Sequence, residues 1–245
     1  ISSSGHLILI SVLTEWKDQG IFTDIAVHVG TLGAVIIYLR KYIKDIFIDF
    51  FSFKKNYFIT NHLWGIKILI ATFPALLVGF FVYEYFIDYL RNVIVIAWSS
   101  IIFGIILFLA DRKKHSTKKW EDLSFWEVII VGIFQVLAFI PGASRAGVTI
   151  TGARILNIKR ESAAVFSMLL SIPIITASLF LALISIHNDN TSDFNLNGPI
   201  IATFVSFITA LISIHLMMRI LKFTNFNIFI IYRIILGIAL LTIYA

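Results

Sequence analysis

The sequence predicts an all-α polytopic membrane protein, with six transmembrane helices and two re-entrant helical hairpins in an inverted-topology repeat. Its 245 residues are 59% hydrophobic and 14% charged, with a mean hydropathy of +0.93, which is too apolar for a soluble domain of this length. Polar, turn-forming residues interrupt two of the apolar segments. Fifteen of the twenty Lys and Arg residues lie in four short loops, at 40–55, 111–122, 154–160 and 219–222.

The first half of the chain begins with a serine-rich run and a short apolar segment, Leu7–Leu13, which is about half the length that crosses a bilayer. This length predicts a re-entrant segment or a core helix, and the count of basic residues in the loops, which places Thr14–Gly20 outside, favours re-entry. The aromatic-rich piece Ile46–Phe53 is predicted to lie along the membrane interface. Pro74 predicts a kink in the second span. The three predicted spans of this half are Ile21–Leu39, Leu63–Tyr83 and Val93–Ala110.

The second half repeats this layout after the basic stretch Asp111–Asp122, since two half-length apolar pieces flank Pro141. The loops on both sides of residues 125–156 are basic, and basic loops mark the cytoplasmic side of a membrane. This segment must therefore enter from the cytoplasm and return to it, with its tip buried in protein at membrane depth. The three predicted spans of this half are Ala163–Ile186, Pro199–Met218 and Ile228–Tyr244.

The layout of the two halves predicts an inverted repeat, in which two broken helices meet near the membrane midplane. The first span begins 18 residues after Ser3, and the fourth begins 19 residues after Ser144. Direct identity between the halves is slight, so the repeat is inferred from layout. The predicted organisation is a first repeat at 1–110, a basic cytoplasmic loop at 111–124 and a second repeat at 125–245.

The stretch Pro141–Ile150 predicts an exposed helix start at membrane depth. Pro141 and Gly142 end the helix that precedes them, and Ser144 can cap a new helix that begins at Arg145. The free N–H groups and the partial positive charge of such a helix start attract anions.

Several side chains near this helix start have the chemistry that a phosphate group requires. Arg145 offers a bidentate guanidinium, and Ser144 and Thr149 offer hydroxyls. Gly142 and Gly147 let the backbone approach a ligand closely. Because an arginine at membrane depth is costly, its presence favours a functional role.

Ser3 and His6 are predicted to act together at the other tip. They are three residues apart and so share one face of a helix. The pair fits a serine nucleophile with a histidine base, and it equally fits a histidine that activates water or protonates the leaving group. The spacing leaves both mechanisms open.

The two tips together resemble the paired signatures of the undecaprenyl-diphosphatase family, also called the bacitracin-resistance family. The resemblance rests on the run from Ile1 to Leu7 and on the run from Gln135 to Gly147 with Thr149. It extends to Val27–Thr31 and to the region from Glu161 to Pro173, and so covers essentially the whole chain.

The resemblance implies hydrolysis of undecaprenyl diphosphate to the monophosphate, which recycles the lipid carrier of peptidoglycan synthesis and confers bacitracin resistance. It implies a bacterial inner-membrane protein with periplasmic access, a homodimer, and a divalent cation, magnesium or calcium, as cofactor. The residues that it assigns to catalysis are Ser3, His6 and Arg145, and those that it assigns to phosphate binding are Ser2, Gly5, Gly142, Ser144, Gly147 and Thr149.

The sequence departs from the family pattern in two places. The family carries two glutamates before its serine-rich tip, and these positions would precede Ile1, so no metal ligand is assigned in this chain. We expect the chain to be a fragment that lacks part of the active site and shows little metal-dependent turnover. Ala146 stands where the family usually has serine, from which we expect a tuning effect at most.

Other functions and roles are open at this stage. A transporter or flippase of a phosphate-headed polyprenyl lipid shares the architecture, and a purely structural membrane protein ranks third. The chain has no cysteine, which excludes thiolate catalysis, and its basic residues are explained by topology, so no nucleic-acid partner is expected.

Several polar residues also have purely structural interpretations. Arg145 could form an ion pair, Thr149 could bond back to its own helix, and Arg233 could snorkel or pair internally. His28 and Gln135 are read as packing residues or as residues that support the site indirectly. Glu161 is read as a charge at a helix start.

Overall fold

The structure, a computed structural model, describes residue 6 and residues 20–51, 63–85, 92–112, 116–188 and 197–244. Within these ranges the chain forms α-helices and two short 3-10 helices and no β-strand, so the prediction of an all-helical chain is confirmed. The 3-10 helices are Trp120–Asp122 and Leu137–Phe139. The α-helices are α1 (Gly20–Tyr38), α2 (Arg40–Phe51), α3 (Trp64–Tyr85), α4 (Val93–Asp111), α5 (Phe125–Val136), α6 (Arg145–Ile155), α7 (Arg160–Asn188), α8 (Asn197–Phe223) and α9 (Asn227–Tyr244).

The predicted apolar spans coincide with helices α1, α3, α4, α7, α8 and α9, whose ends lie within a few residues of the predictions. Within the described ranges, four helices are long and apolar enough to cross a membrane: α4, α8, α9 and Arg160–Leu181 of α7. The pair Ile25–Tyr38 and Arg40–Ile48, bent by 74°, adds a fifth if it is one span. These helices are those of a multi-pass membrane protein. The predicted first tip, residues 1–13, lies outside the described residues except for His6.

The helix that includes the predicted interfacial piece is longer at its start than expected. Ile46–Phe53 was predicted, whereas α2 begins at Arg40, directly after α1, and ends at Phe51. Leu39 N donates to Val35 O at 2.9 Å, and Ile43 N donates to Leu39 O at 3.0 Å. Backbone bonding therefore carries the chain through the bend without a gap.

Helices α5 and α6 form a hairpin whose two ends meet. Ser124 caps α5, and Glu127 completes the capping box by accepting from Ser124 N at 2.9 Å. At the other end, Lys159 N donates to Lys118 O at 2.9 Å. The segment 119–158 therefore leaves and re-enters the fold at one place.

A buried carboxylate ties this meeting point to the helices around it. Asp111, at the end of α4, accepts from Arg154 Nε at 2.7 Å and from Arg160 Nε at 2.9 Å. It also accepts from Phe226 N at 3.3 Å. One carboxylate thus joins the ends of α4 and α6 to the starts of α7 and α9.

Aromatic stacking forms the core next to this carboxylate. Trp120 lies between Phe166 of α7 and Trp64 of α3, with ring centroids 5.5 Å and 5.8 Å away. Trp120 is only 1% exposed, and Phe166 is fully buried. Burial of these large rings fixes the hairpin against α3 and α7.

Helices α4 and α9 pack closely through two glycines. A Cβ at Gly104 would lie 3.5 Å from Ile234 Cγ1, and one at Gly237 would lie 2.5 Å from Ile101 Cγ1. Because the partner moves from 237 to 234 as the chain moves from 101 to 104, the helices run antiparallel. Residues 101 and 104 of α4 correspond to residues 234 and 237 of α9, 133 positions later in the chain. The contact of Gly104 with Ile234 and the contact of Gly237 with Ile101 are therefore equivalent, and this packing is two-fold symmetric.

Candidate active site at the turn between α5 and α6

The turn at residues 140–144 is built by residues with unusual backbone conformations. Gly142 has φ +88°, and Ser144 has φ 68°. The Ser144 hydroxyl accepts from Gly147 N at 3.2 Å, and α6 begins at Arg145. The predicted helix start and its cap are therefore confirmed.

Arg145, the first residue of α6, is partly buried, and its side chain forms no hydrogen bond or ion pair with any residue that the structure describes. The structural ion pair considered from the sequence is thus not seen among these residues. Its neighbour Ala146 is exposed. A guanidinium beside a helix start, with none of its donors used by the described protein, can bind an anion.

A second arginine holds the turn from α9. Arg233 is 4% exposed, and its Nη2 donates to Gly142 O at 2.9 Å and to Ala143 O at 2.8 Å. Its Nη1 lies 2.6 Å from the point where a Cβ on Gly147 would stand. Of the two alternatives for Arg233, snorkelling or internal pairing, the structure shows internal bonding, because α9 packs against α4 and the turn and buries this side chain.

The third contact to the turn comes from α4. The Ser99 hydroxyl donates to Pro141 O, and it also lies 3.1 Å from Ile96 O. A Cβ at Gly142 would lie 2.6 Å from Ile96 O and closer still to the Ser99 hydroxyl. Only glycine fits between the turn and α4, and its positive φ is a second reason for it.

Ser99 of α4 and Arg233 of α9 therefore fix the carbonyls of the turn at residues 141–143. Arg233 neutralises two carbonyl dipoles but pairs with no carboxylate among the described residues, in which the ion pairs involve Asp111 and Glu127. Two arginines next to one helix start give this region an excess of positive charge. Such an arrangement is suited to a group that carries several negative charges.

Thr149 takes part in packing in this structure. It is 1% exposed, and its hydroxyl donates to Arg145 O at 2.8 Å and lies 2.7 Å from the Ser167 hydroxyl. The bond to its own helix, weighed as an alternative from the sequence, is the one observed. Thr149 joins α6 to α7 and so supports the helix that carries Arg145.

His6 contacts α9 next to the arginine that holds the turn. Its Nε2 lies 2.6 Å from the Tyr232 hydroxyl, and the two rings stack with centroids 5.8 Å apart and planes 12° apart. Tyr232 precedes Arg233, so the first and second tips contact consecutive residues of one helix. Ser2, Ser3 and Gly5 lie outside the described residues.

Gln135 lies in the last turn of α5 and is 1% exposed. Neither its Nε2 nor its Oε1 has a hydrogen-bond partner among the described residues. A buried amide with both atoms unsatisfied is rare and costly.

The described residues do not fit a divalent cation by themselves. Among them, no three His, Asp or Glu side chains come together where a metal ion could bind. The groups that surround the turn are guanidiniums and hydroxyls, and guanidiniums repel a cation. The metal implied by the resemblance therefore has no ligand set in this part of the chain.

Comparison with known proteins adds the family to this geometry. Residues 1–239 match the family model described as bacitracin resistance protein BacA. This chain belongs to the BacA family.

Relatives of this BacA-family chain carry the name undecaprenyl-diphosphatase. The relative from Idiomarina loihiensis is 38% identical over 241 residues, which cover 98% of this chain and 91% of the relative. The relative from Saccharophagus degradans is 40% identical over 243 residues, covering 98% and 90%. The relative from Jannaschia sp. is 41% identical over 248 residues, covering 99% and 91%.

Sequence reasoning missed two groups in this BacA-family site. The sequence analysis identified Arg233 as a charge within a span but did not predict that it binds the turn. The span contains no acidic residue, which indicates that its partner must come from another segment. Ser99 lies in the pair Ser99-Ser100 in the middle of an apolar span, where hydroxyls commonly bond a neighbouring backbone. Both act on a turn more than 40 residues away in sequence.

Proposed function

We infer that this chain hydrolyses undecaprenyl diphosphate to undecaprenyl phosphate and inorganic phosphate. The observation that carries the inference is Arg145, which has no partner among the described residues and lies at a capped helix start beside the buried Arg233. The chain also matches proteins named undecaprenyl-diphosphatase over nearly its whole length. The product is the lipid carrier that peptidoglycan synthesis reuses. Its recycling accounts for the resistance to bacitracin in the family's description.

The chemistry assigns a role to each group at the turn. Hydrolysis breaks the bond between the terminal phosphorus and the bridging oxygen, and it places negative charge on the transferred phosphoryl oxygens. We propose that Arg145 binds these oxygens with its two N–H forks, while the start of α6 supplies further positive potential. Gly142, Ser144 and Gly147 are proposed to present their backbone and hydroxyl groups to the same oxygens.

Ser3 and His6 are proposed as the groups that deliver the nucleophile. Two routes remain. In the first, Ser3 attacks phosphorus while His6 removes its proton, undecaprenyl phosphate leaves, and water then hydrolyses the phosphoserine to release inorganic phosphate. In the second, His6 activates a water that attacks phosphorus directly, or it protonates the leaving oxygen. Ser2 and Gly5 are proposed to bind phosphate from the same tip. The contact of His6 with Tyr232, next to Arg233, supports a position for this tip near the turn.

The transmembrane arrangement is proposed to be six spans and two re-entrant hairpins in an inverted repeat, 1–110 and 125–245, in a bacterial inner membrane. The meeting of Lys118 and Lys159 supports re-entry of the second hairpin. The two-fold packing of α4 and α9 supports an axis that exchanges the repeats. A homodimer and periplasmic access remain proposals from the resemblance.

The divalent cation, magnesium or calcium, also remains a proposal from the resemblance. Because the described residues form no metal-binding cluster, no step above depends on a metal. The groups of this chain that act on the substrate in the proposal are a guanidinium, hydroxyls, an imidazole and backbone N–H groups.

A transporter of a phosphate-headed polyprenyl lipid is the second candidate, since inverted repeats with broken helices are transporter architecture. Phosphate release by the complete protein in detergent, with undecaprenyl diphosphate as substrate, separates the two. We expect Arg145→Ala to lower kcat by about 10²–10³, the range for loss of one group that stabilises the transition state. Ser3→Ala and His6→Ala should lower it as well.

Arg219→Ala serves as the control, because Arg219 is an exposed cation in the last turns of α8, far along the chain from the turn. It should leave turnover unchanged. Full turnover in all three site variants, together with loss of lipid translocation, would rule out the hydrolase and favour the transporter.

A further inference from the structure

Tyr232 is a protein group that contacts the imidazole of His6. The Tyr232 hydroxyl lies 2.6 Å from His6 Nε2, and the near-parallel rings are stacked. Hydrogen bonding fixes one ring nitrogen and stacking fixes the plane of the ring. Together they determine which way the other nitrogen, Nδ1, is directed.

Tyr232 belongs to an anchored part of α9. The next residue, Arg233, is buried and bonds the Gly142 and Ala143 carbonyls of the other tip. A shift of α9 would therefore move both contacts at once. The position of Tyr232 relative to the turn is set by the same helix backbone.

The two-fold relation between α4 and α9 gives an independent reason to single out this position. The sequences match at five positions when they are offset by 133 residues: Ile101/Ile234, Ile102/Ile235, Gly104/Gly237, Ile105/Ile238 and Leu107/Leu240. In this register Tyr232 is the counterpart of Ser99. Ser99 bonds the backbone of the second tip at Pro141, and Tyr232 bonds His6 of the first tip.

Each repeat thus uses the same position of its last span to hold the tip of the other repeat. The contacts of Ser99 and Tyr232 with the two tips are not required for the packing of α4 on α9, because Gly104 and Gly237 already allow the close approach of these helices. The hydroxyls of Ser99 and Tyr232 are explained if the two tips must be held at a fixed position relative to each other.

We propose that Tyr232 is a positioning residue of the reaction: its hydroxyl bonds His6 Nε2 and holds the imidazole in the tautomer and orientation in which Nδ1 faces the reacting groups. The inference rests on the proposed function of His6. Tyr232 itself does not touch the substrate in this proposal. In this tautomer Nε2–H donates to the Tyr232 hydroxyl, so Nδ1 carries the lone pair that can take a proton from Ser3 or from water.

Tyr232→Phe tests the proposal, because it keeps the ring and its stacking and removes only the hydroxyl. In the complete protein we expect kcat to fall about tenfold, as for the loss of one hydrogen bond that orients a reacting group, with KM unchanged. Tyr244→Phe is the matched control: Tyr244 lies on the same helix and is 37% exposed against 39% for Tyr232. It should leave both constants unchanged.

A second measurement does not depend on turnover. Nitrogen NMR of the protein with isotope-labelled histidine reports the tautomer of each ring, and the His6→Ala variant identifies the His6 signals. We expect Tyr232→Phe to shift the His6 signals and Tyr244→Phe to leave them in place. Wild-type kcat in Tyr232→Phe, or unshifted His6 signals, would overturn the proposal.

The two measurements also separate this inference from the proposed function. If the wild-type protein releases no phosphate, the proposed function fails, and the positioning role fails with it even where the NMR shift is seen. If the wild-type protein releases phosphate but Tyr232→Phe has the same kcat as the Tyr244→Phe control, only the positioning role fails.

Discussion

Replacement of Asp111 tests whether the buried carboxylate at the meeting point of the hairpin holds the helices together. Its side chain is 4% exposed and accepts from Arg154, which is 1% exposed, and from Arg160, which is 25% exposed. Asp111→Asn keeps the shape and one acceptor oxygen but removes the negative charge. Two guanidiniums are then left without their common counter-charge.

The magnitude follows from the exposure of each partner. Removal of one partner of a buried ion pair costs about 3–5 kcal/mol, since the other charge stays buried and uncompensated. The Arg154 contact belongs to this class, whereas the Arg160 contact is partly solvated and contributes less than about 1 kcal/mol. We therefore expect Asp111→Asn to lower the free energy of unfolding by about 3–5 kcal/mol.

Thermal unfolding of the detergent-solubilised protein is the assay. At about 2–4 °C per kcal/mol for a chain of this size, the melting temperature should fall by roughly 6–20 °C. Asp45→Asn is the control, because Asp45 is exposed on α2 and forms no ion pair with a described residue. It should change the melting temperature little.

A double variant identifies the cause. In an Arg154→Met background the buried guanidinium is gone, so Asp111→Asn should cost much less than in the wild-type protein. An equal cost in both backgrounds, or a melting temperature for Asp111→Asn within error of the Asp45→Asn control, would refute the reasoning about the buried charge.

Three further predictions concern the turn and its surroundings. Gly142→Ala places a Cβ 2.6 Å from Ile96 O at φ +88° and should destabilise the protein by about 2–5 kcal/mol in thermal unfolding, whereas Gly198→Ala, with no atom within 4 Å, should not. Burial raises the pKa of Glu121, so its negative charge destabilises the folded protein at neutral pH. Glu121→Gln should therefore raise the melting temperature at neutral pH. Melting curves should show that this gain disappears as the pH falls below the ordinary pKa of 4.5. Gln135→Met removes two amide atoms that have no hydrogen-bond partner among the described residues, and it should raise the free energy of unfolding by about 1–3 kcal/mol. A fall in stability would show that the amide has a partner outside them.

The helices and the start of α6 could be predicted because their causes are local. Apolar runs long enough to cross a bilayer gave the ends of α4 and α9 to within a residue or two. The order proline, glycine, serine at 141–144 gave the helix start at Arg145, since each of these residues acts on its own backbone.

The contacts of the candidate site could not be predicted because they join distant parts of the chain. Arg233 bonds carbonyls about ninety residues away, and the choice of those carbonyls depends on how α9 packs against α4. Asp111 was counted within a basic loop, where the sequence shows an excess of positive charge but not which cation is buried. Thr149 was assigned to phosphate, and only the packing of α6 on α7 reveals its contact with Ser167.

The meeting of Lys118 with Ile158 and Lys159 has a consequence for biosynthesis. If the hairpin is re-entrant as proposed, its two ends lie at the same face of the membrane. The basic loops on either side then need not cross the lipid, and insertion avoids the desolvation cost of their charges. In the chain, α4 precedes the turn that it contacts and α9 follows it, so the ribosome makes α4 before the turn and α9 after it.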